Sequence, residues 1–536
     1  MSDRREFLKT SLMGAAAVAA TSNLPLEAEA QLAPGFQLNE VTLADLRAGL
    51  NSGKFTSKQL VEMYSERIAA IDRRGPNVRA VIELNPDAMA LADKADADRK
   101  AGKRGLMIGV PVLIKDNIGT ADKMATSAGS LALADSHPAK DSFVAAQLRA
   151  AGAIILGKTN LSEWANFRST HSTSGWSGRG GLTRCPYALD RNPSGSSSGS
   201  AVAVSANECP VAVGSETDGS IVSPACSNGL VGIKPTVGLV GRSGIVPISH
   251  TQDTAGPLAR TVADAAALLT VLAGIDPNDE AAKGAQGKIV DYMRALDQNG
   301  LRGARLGVVR KYAGFSIPVD KLFADALDVM KKAGAEIVDP VEIASIGKFD
   351  EAELLVLKYE FKNDLNAYFN TLGPTSPIRS LADVIDFDTK HAAQEMPYFG
   401  QELLIQSQEK GPLTDSDYLK ALDTCAKLTR SEGIDAAMDK HKLDALISPT
   451  GTPAWMTDLV NGDANVPSAS SLAAVAGYPH ITLPMGYVFG LPVGISFFGR
   501  AWSEAKLIQL AYGYEQLTRF RRPPEFLPTA KTGVNT

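Results

Sequence analysis

The residues in this chain whose types and spacing suit them for chemistry are a set of serines and one lysine. A nine-residue block, Asn192 to Ser200, holds five serines and two glycines, and it opens the longer run NPSGSSSGSAVAVSANECPVAVGSETDGSIVSPACSNGLVGIKP ending at Pro235. A flexible linker has the same composition. Here, however, the block runs into the apolar Ala201 to Val204 and then into a second small-residue turn, Thr217-Asp218-Gly219-Ser220. Two hydroxyl-rich turns thus bracket one helix-and-strand unit, as in an active site whose backbone must be approached closely. A serine attacks only when a base takes its proton. The six histidines (His137, His171, His250, His391, His441, His480) are scattered without a local signature. Gly195-Ser196-Ser197-Ser198-Gly199 fits the G-x-S-x-G elbow centred on Ser197, but that motif needs a strand leading into it, and Arg191-Asn192-Pro193-Ser194 has no strand pattern. An uncharged lysine is the alternative base. Lys115 ends the apolar run Gly109-Val110-Pro111-Val112-Leu113-Ile114, where a lysine either snorkels to the surface or is buried for a purpose. As a base it must be neutral, and lowering an ordinary lysine pKa by about 3 units takes about 4 kcal/mol of differential stabilisation.

In this order and spacing, GVPVLIKDN, SGSSSGSAVAV and ETDGSIVSPACSNGLVGIKPT resemble the amidase signature family, serine hydrolases of carboxamides. Ser196 and Ser220 lie 24 positions apart, the spacing of that family's two catalytic serines. The resemblance continues through GKTNLSEWANF (157–167), the run His250-Thr251-Gln252-Asp253-Thr254 followed by GPLAR, and AGYPHITLPMG with GLPVGISFFG, and covers roughly residues 36 to 520. It implies an α/β fold, a large mixed central sheet covered by helices on both faces. It further implies Ser220 as nucleophile, forming an acyl-enzyme, and Ser196 as the relay that passes a proton to Lys115 and returns it to the leaving nitrogen. The peptide bond from Gly195 to Ser196 is then cis. Backbone amides around Thr217 to Ser220, those of Thr217, Asp218 and Gly219 in particular, form the oxyanion hole. Within the family, Glu216-Thr217-Asp218 and the SSSGS block resemble the bacterial peptide amidases most, which implies release of ammonia from C-terminal amides of short peptides. Many relatives have Gly-Gly where this chain has Asp218-Gly219, so Asp218 adds a wall and a carboxylate acceptor near the scissile nitrogen. The alternatives are an aryl or alkyl acylamidase and a cytoplasmic transamidase subunit. No metal and no organic cofactor is implied; the partner expected is a small-molecule or short-peptide amide.

The rest of the sequence supplies the frame. With 536 residues, 44% hydrophobic and 21% charged, the chain can bury a large core. A net charge of -5 leaves no electrostatic footprint for nucleic acid. Four cysteines (Cys185, Cys209, Cys226, Cys425) without a C-x-x-C pair indicate neither a zinc cluster nor a disulfide scaffold; they are free thiols or one or two bridges. Thr56-Ser57-Lys58-Gln59 is a capping box, and Leu60, Tyr64, Ile68 and Ile71 share a helical face. Strands are expected at 80–84, 110–114, 306–309, 336–338, 443–447 and 480–484, and helices at 143–151, 319–333, 351–372 and 416–440. Strand 306–309, helix 319–333 and strand 336–338 form a crossover that favours parallel pairing. The helix-rich region from about 289 to 440 is expected to cover the active-site mouth. Gly152-Ala153-Ile154-Ile155-Leu156-Gly157-Lys158-Thr159 matches the P-loop pattern, but its Ala-Ile-Ile-Leu centre reads as a buried strand and not a phosphate cradle. Ser503-Glu504-Ala505-Lys506 imitates S-x-x-K on what Leu507, Leu510 and Ala511 mark as an amphipathic helix.

Residues 1–30 read as an export signal. Arg4-Arg5 precedes Phe7-Leu8-Lys9, a short alanine-rich apolar run fills Leu12 to Ala20, and Ala28-Glu29-Ala30 offers a cleavage site. The apolar run is too short to span a bilayer, so a periplasmic or secreted enzyme, off the membrane once the signal is removed, is expected. Replacing Arg4 and Arg5 by lysines should leave the protein in the cytoplasm with its leader attached, which fractionation and mass spectrometry of the N-terminus will read; a native protein found uncleaved in the cytoplasm would defeat the expectation.

Overall fold

Strands buried on both faces must be apolar or small along their whole length, and the sequence supplies several. In a computed structural model, which describes residues 36–373 and 376–532, the strands are β1 (Val81–Leu84), β2 (Pro111–Lys115), β3 (Ile154–Thr159), β4 (Trp176–Ser177), β5 (Gly181–Leu182), β6 (Val211–Glu216), β7 (Val231–Lys234), β8 (Thr254–Ala259), β9 (Arg305–Val308), β10 (Glu336–Val338), β11 (Ala445–Pro449), β12 (His480–Val488) and β13 (Leu491–Phe498). Eleven of them form one sheet in the order β1-β3-β2-β6-β8-β7-β12-β13-β11-β9-β10, with β4-β5 a separate ribbon. The sheet is mixed: β2 runs parallel to both β3 and β6, whereas β6-β8-β7-β12-β13-β11 are antiparallel neighbours. Every residue of β2, β3, β6, β8 and β13 is buried, so helices cover both faces of the sheet there. From Leu38 onward the described residues form one compact unit, and the proposed leader lies outside them.

Most expected elements fall where the sequence places them. The helix Ser57–Ile68 opens with both halves of the capping box, the Thr56 hydroxyl accepting from Gln59 N and Gln59 reaching back to the Thr56 amide. Gly152-to-Thr159 is no nucleotide loop: it holds the wholly buried β3, and a Cβ on Gly157 would sit 2.4 Å from the Glu83 carbonyl of the neighbouring strand. β9 and β10 pair in parallel across the helix Ile317–Lys332. The segment 416–440 differs from the single helix expected, because Gly433 leaves helical geometry and divides it into Ser416–Ala426, a wide-turn stretch Lys427–Ile434 and Asp435–His441. All four cysteines are buried free thiols. Among the described residues no helix is long and apolar enough to cross a membrane.

The serine and glycine block is packed to the interior, not a linker. Ser198–Ser205 is a helix buried at every position. Its hydroxyls donate to buried backbone carbonyls: Ser198 Oγ to Ser194 O (2.6 Å), Ser200 Oγ to Val213 O (3.1 Å) and Ser205 Oγ to Asn228 O (2.8 Å). Just before the helix, Ser197 Oγ donates to Ser215 O at 2.9 Å, binding the block to β6. Gly199 lets this helix touch backbone, since a Cβ there would meet Ala80 O at 2.2 Å and Asn160 O at 2.5 Å. Both obstacles are main chain and cannot swing aside. Gly199→Ala should therefore destabilise the protein by about 1 to 3 kcal/mol through overpacking, whereas Ser200→Ala, which removes one buried hydroxyl, should cost about 1 kcal/mol; denaturant unfolding of the two variants checks the order.

Candidate active site

Three elements bring the candidate residues together. β2 carries Lys115 at its C-terminal end, the turn before the Ser198–Ser205 helix carries Ser196, and the turn after β6 carries Ser220. Because β2 and β6 are parallel neighbours, their C-terminal ends open on the same edge of the sheet. The two serine turns are joined by main chain, Ser197 N–H donating to Ser220 O at 3.1 Å. The Gly195–Ser196 peptide bond is cis.

Lys115 is fully buried. Its Nζ lies 2.7 Å from Ser196 Oγ, 3.0 Å from Ser215 Oγ and 3.2 Å from Ser215 O. Asn117 Nδ2 donates to Ser215 Oγ at 2.9 Å. Three oxygens thus surround Nζ: an ammonium donates to all three, whereas the neutral amine donates to the Ser215 carbonyl and hydroxyl and keeps its lone pair for the Ser196 O–H. Burial pushes the Lys115 pKa down to about 7, against the opposing pull of the Asp253 and Glu216 carboxyls. No carboxylate forms a salt bridge with it among the described residues.

The turn that carries Ser220 is held by buried acids. Glu216 accepts from the amides of Gly219 (2.9 Å), Ile221 (2.7 Å) and Val222 (3.0 Å). The Gly219 amide, expected among the oxyanion donors, is thus turned to Glu216. The amides of Thr217, Asp218 and Ser220 have no acceptor among the described residues. Thr217 Oγ1 donates to Asp253 (2.6 Å), whose carboxyl also takes the amides of Ile248 (2.8 Å) and Ser249 (2.9 Å). The helix Asp350–Phe369 lies beside this loop: Glu360 receives the Thr251 hydroxyl at 2.9 Å and the Tyr418 hydroxyl at 2.7 Å, and His250 Nδ1 lies 2.8 Å from Asp364. A cavity of about 840 Å³ runs from Asn117, Ser215 and Thr217 to Asp364 and Tyr368 of that helix. Of the region 289–440, then, the Asp350–Phe369 helix with Thr371 and Leu413 borders this cavity, while β9 and β10 extend the sheet edge.

Lys115 Nζ meets Ser196 Oγ, and the turn holding Ser220 is joined to the Ser196 turn through the Ser197 amide. Residue types alone do not single out Ser215, Asn117, Glu216 and Asp253 as parts of the site, although each lies in or beside one of the family-like runs. Their signal is weak because each acts by satisfying a neighbour: an amide or hydroxyl on the reverse side of a turn leaves no spacing rule. None of the six histidines joins the shell; His480, for one, is buried in the sheet with Nε2 2.6 Å from Ser496 Oγ, and burial holds its pKa down to about 3.

An amine and a hydroxyl in contact at the C-terminal edge of a mixed sheet, beside a second serine on an acid-braced turn, define a hydrolase of the serine amidase kind. The chain belongs to the amidase family, whose pattern matches residues 59–508. It is 43% identical to a probable amidase of Arabidopsis thaliana over 508 residues, 93% of this chain and 94% of that protein. The native peptide amidase of Stenotrophomonas maltophilia is 52% identical and superposes with a TM-score of 0.87, covering 92% of this chain and 99% of that one. A peptide amidase complexed with the competitive inhibitor chymostatin is 53% identical with a TM-score of 0.87, over 91% and 99% of the two chains. A glutamyl-tRNA(Gln) amidotransferase component of Roseiflexus is also similar, at 32% identity over 92% of this chain and 99% of that one.

The Lys115 environment has a pH consequence. Below about 7 the lysine is protonated and has no lone pair for Ser196; above it the neutral amine dominates. The kcat/KM for an amide should rise with pH through an apparent pKa near that value and then level. Lys115→Met should remove most of the activity and the limb together. A flat profile from about pH 6 to 9 in the wild type would contradict lysine as the base.

Proposed function

We propose that this amidase works through Ser220, Ser196 and Lys115, and that its substrates are the C-terminal carboxamides of short peptides. The 2.7 Å contact between Lys115 Nζ and Ser196 Oγ inside a fully buried shell is the observation that carries the mechanism. Ser220 Oγ attacks the carboxamide carbon while its proton passes to Ser196 Oγ and the Ser196 proton passes to Lys115 Nζ. The tetrahedral oxyanion is met by the unengaged amides of the turn, Ser220, Asp218 and Thr217. As the C–N bond breaks, Lys115 returns its proton through Ser196 to the departing nitrogen, ammonia leaves, and the acyl-serine is hydrolysed by water along the same route in reverse. Preorganised donors of this kind are worth about 3 to 4 kcal/mol each at an oxyanion.

Peptide amides are favoured as substrates by the similarity to the peptide amidases over more than nine-tenths of the chain. Ser220→Ala should abolish turnover while leaving the unfolding midpoint close to wild type, because Ser220 sits in a small-residue turn. A serine-reactive fluorophosphonate should label Ser220 in the wild type; labelling of Ser196 or Ser197 would reassign the nucleophile. Among a dipeptide amide, the matching anilide and an uncapped tripeptide, the dipeptide amide should be cleaved fastest and the tripeptide not at all. A tenfold preference for the anilide, about 1.4 kcal/mol at the transition state, would make this an aryl acylamidase instead.

A further inference from the structure

A second, smaller cavity borders the other side of the nucleophile turn. Its volume is about 270 Å³, and Asp218, Ser223, Cys226, Thr452, Trp455 and Ser470 line it. Three of these side chains have polar atoms that are shut off from solvent and form no hydrogen bond, Asp218 Oδ1, Thr452 Oγ1 and Trp455 Nε1, the last beside the Asp463 carboxyl. Buried polar atoms are rarely left unpaired, and the orphans on Asp218 and Thr452, residues that line one cavity beside the Ser220 turn, point to a ligand that would pair them. The space is several times what a departing amino group occupies and is on the scale of one amino-acid residue.

The state of Asp218 decides which kind of group it takes. Ser470, Ser471 and the Glu353 carboxyl lie within hydrogen-bonding reach of its carboxyl, and Glu353 in turn receives Gln252 Nε2 at 2.9 Å. Two buried carboxyls in contact do not both ionise. Burial pushes both upward, so the pair shares a proton. Asp218 Oδ1 lies outside that contact and remains an acceptor. Thr452 adds a hydroxyl that donates. An acceptor and a donor in one residue-sized cavity match the N–H and C=O of a peptide group.

We propose that this cavity is the subsite for the peptide group on the acyl side of the substrate, with Asp218 Oδ1 accepting its N–H, Thr452 Oγ1 donating to its C=O, and Glu353 positioning Asp218. The assignment rests on the peptide-amide reading above and deepens it. Asp218, two residues before Ser220, suits the N–H nearest the scissile carbonyl.

Binding is measured on full-length Ser220→Ala protein, where no turnover intervenes, so the subsite is tested whatever the outcome for hydrolysis. The probes are an N-acetyl dipeptide amide and its analogue methylated at the internal peptide nitrogen, titrated by calorimetry. Adding Asp218→Ala should weaken the dipeptide amide about 10- to 100-fold, the range for a hydrogen bond to a charged group, while leaving the methylated analogue bound as it was. Adding Thr452→Val should weaken both probes about 3- to 10-fold, since both keep the carbonyl. Adding Glu353→Gln, which can donate to Asp218, should preserve affinity, whereas Glu353→Leu should lower it for the dipeptide amide alone. If Asp218→Ala weakened the two probes equally, or Thr452→Val weakened neither, the subsite would be refuted. Intact, methylation-sensitive binding combined with no hydrolysis by the wild type would overturn the proposed reaction and leave the subsite standing.

Discussion

An amine buried without a bonded counter-ion holds its proton weakly, and the shape of this site follows from satisfying one such amine. Lys115 ends a strand that is buried at every position, so water does not solvate its charge, and no carboxylate among the described residues bonds to it directly. What surrounds it is neutral oxygen: one carbonyl and two hydroxyls. Desolvation disfavours the ammonium form by kilocalories per mole, and a neutral shell does not restore them. The lysine pKa is thus held down to about 7 because the fold gives its charge little to rest on. Asp253 and Glu216 stand near enough to moderate the shift but are bound elsewhere, to Thr217 and to the amides of the nucleophile turn.

That shell exists only because its surroundings are small. The serine block and β6 approach within hydrogen-bond distance of each other through hydroxyls and carbonyls, with Ser197 reaching Ser215 and Ser200 reaching Val213. A Cβ on Gly214 would lie 2.7 Å from Ser197 Oγ, and one on Gly195 would lie 2.2 Å from Ser162 Oγ. Larger residues would separate the two turns and open the space around Lys115 to water. The composition that looks like a linker is the composition of a site where polar backbone is packed against polar backbone.

Around this centre the cover helices are attached by buried charge. Arg168, fully buried, pairs with Glu163 and also donates to the Glu395 carbonyl at 2.6 Å, fastening the helical region to the segment after β3. The guanidinium lies 4.3 Å from the ring centroid of Phe399 and 5.1 Å from that of Trp176. Phe361, Leu365 and Phe369 of the Asp350–Phe369 helix pack with Trp164 and Phe167. The same helix presents Glu353 to Asp218, so a region far along the chain from the serine runs reaches the turn that carries Ser220.

The sequence by itself determined many of the elements and the candidate reacting groups. β2, β3 and β6 were legible because a strand buried on both faces has to be apolar or small throughout, and the Ser57–Ile68 helix because its cap is a local rule. Lys115, Ser196 and Ser220 were legible because a serine without a usable histidine needs another base, and because their spacing resembles a known family. Tertiary structure decided what those groups experience. The Lys115 pKa depends on the exclusion of water and on Ser215 and Asn117, which carry no spacing rule toward it. The engagement of the Gly219 amide by Glu216 depends on which way one peptide plane faces. The contact of Glu353 with Asp218 joins residues 135 positions apart. Periodicity and motifs report how a residue relates to its chain neighbours, whereas desolvation, pairing and orphaned hydrogen bonds are set by atoms that only folding brings together.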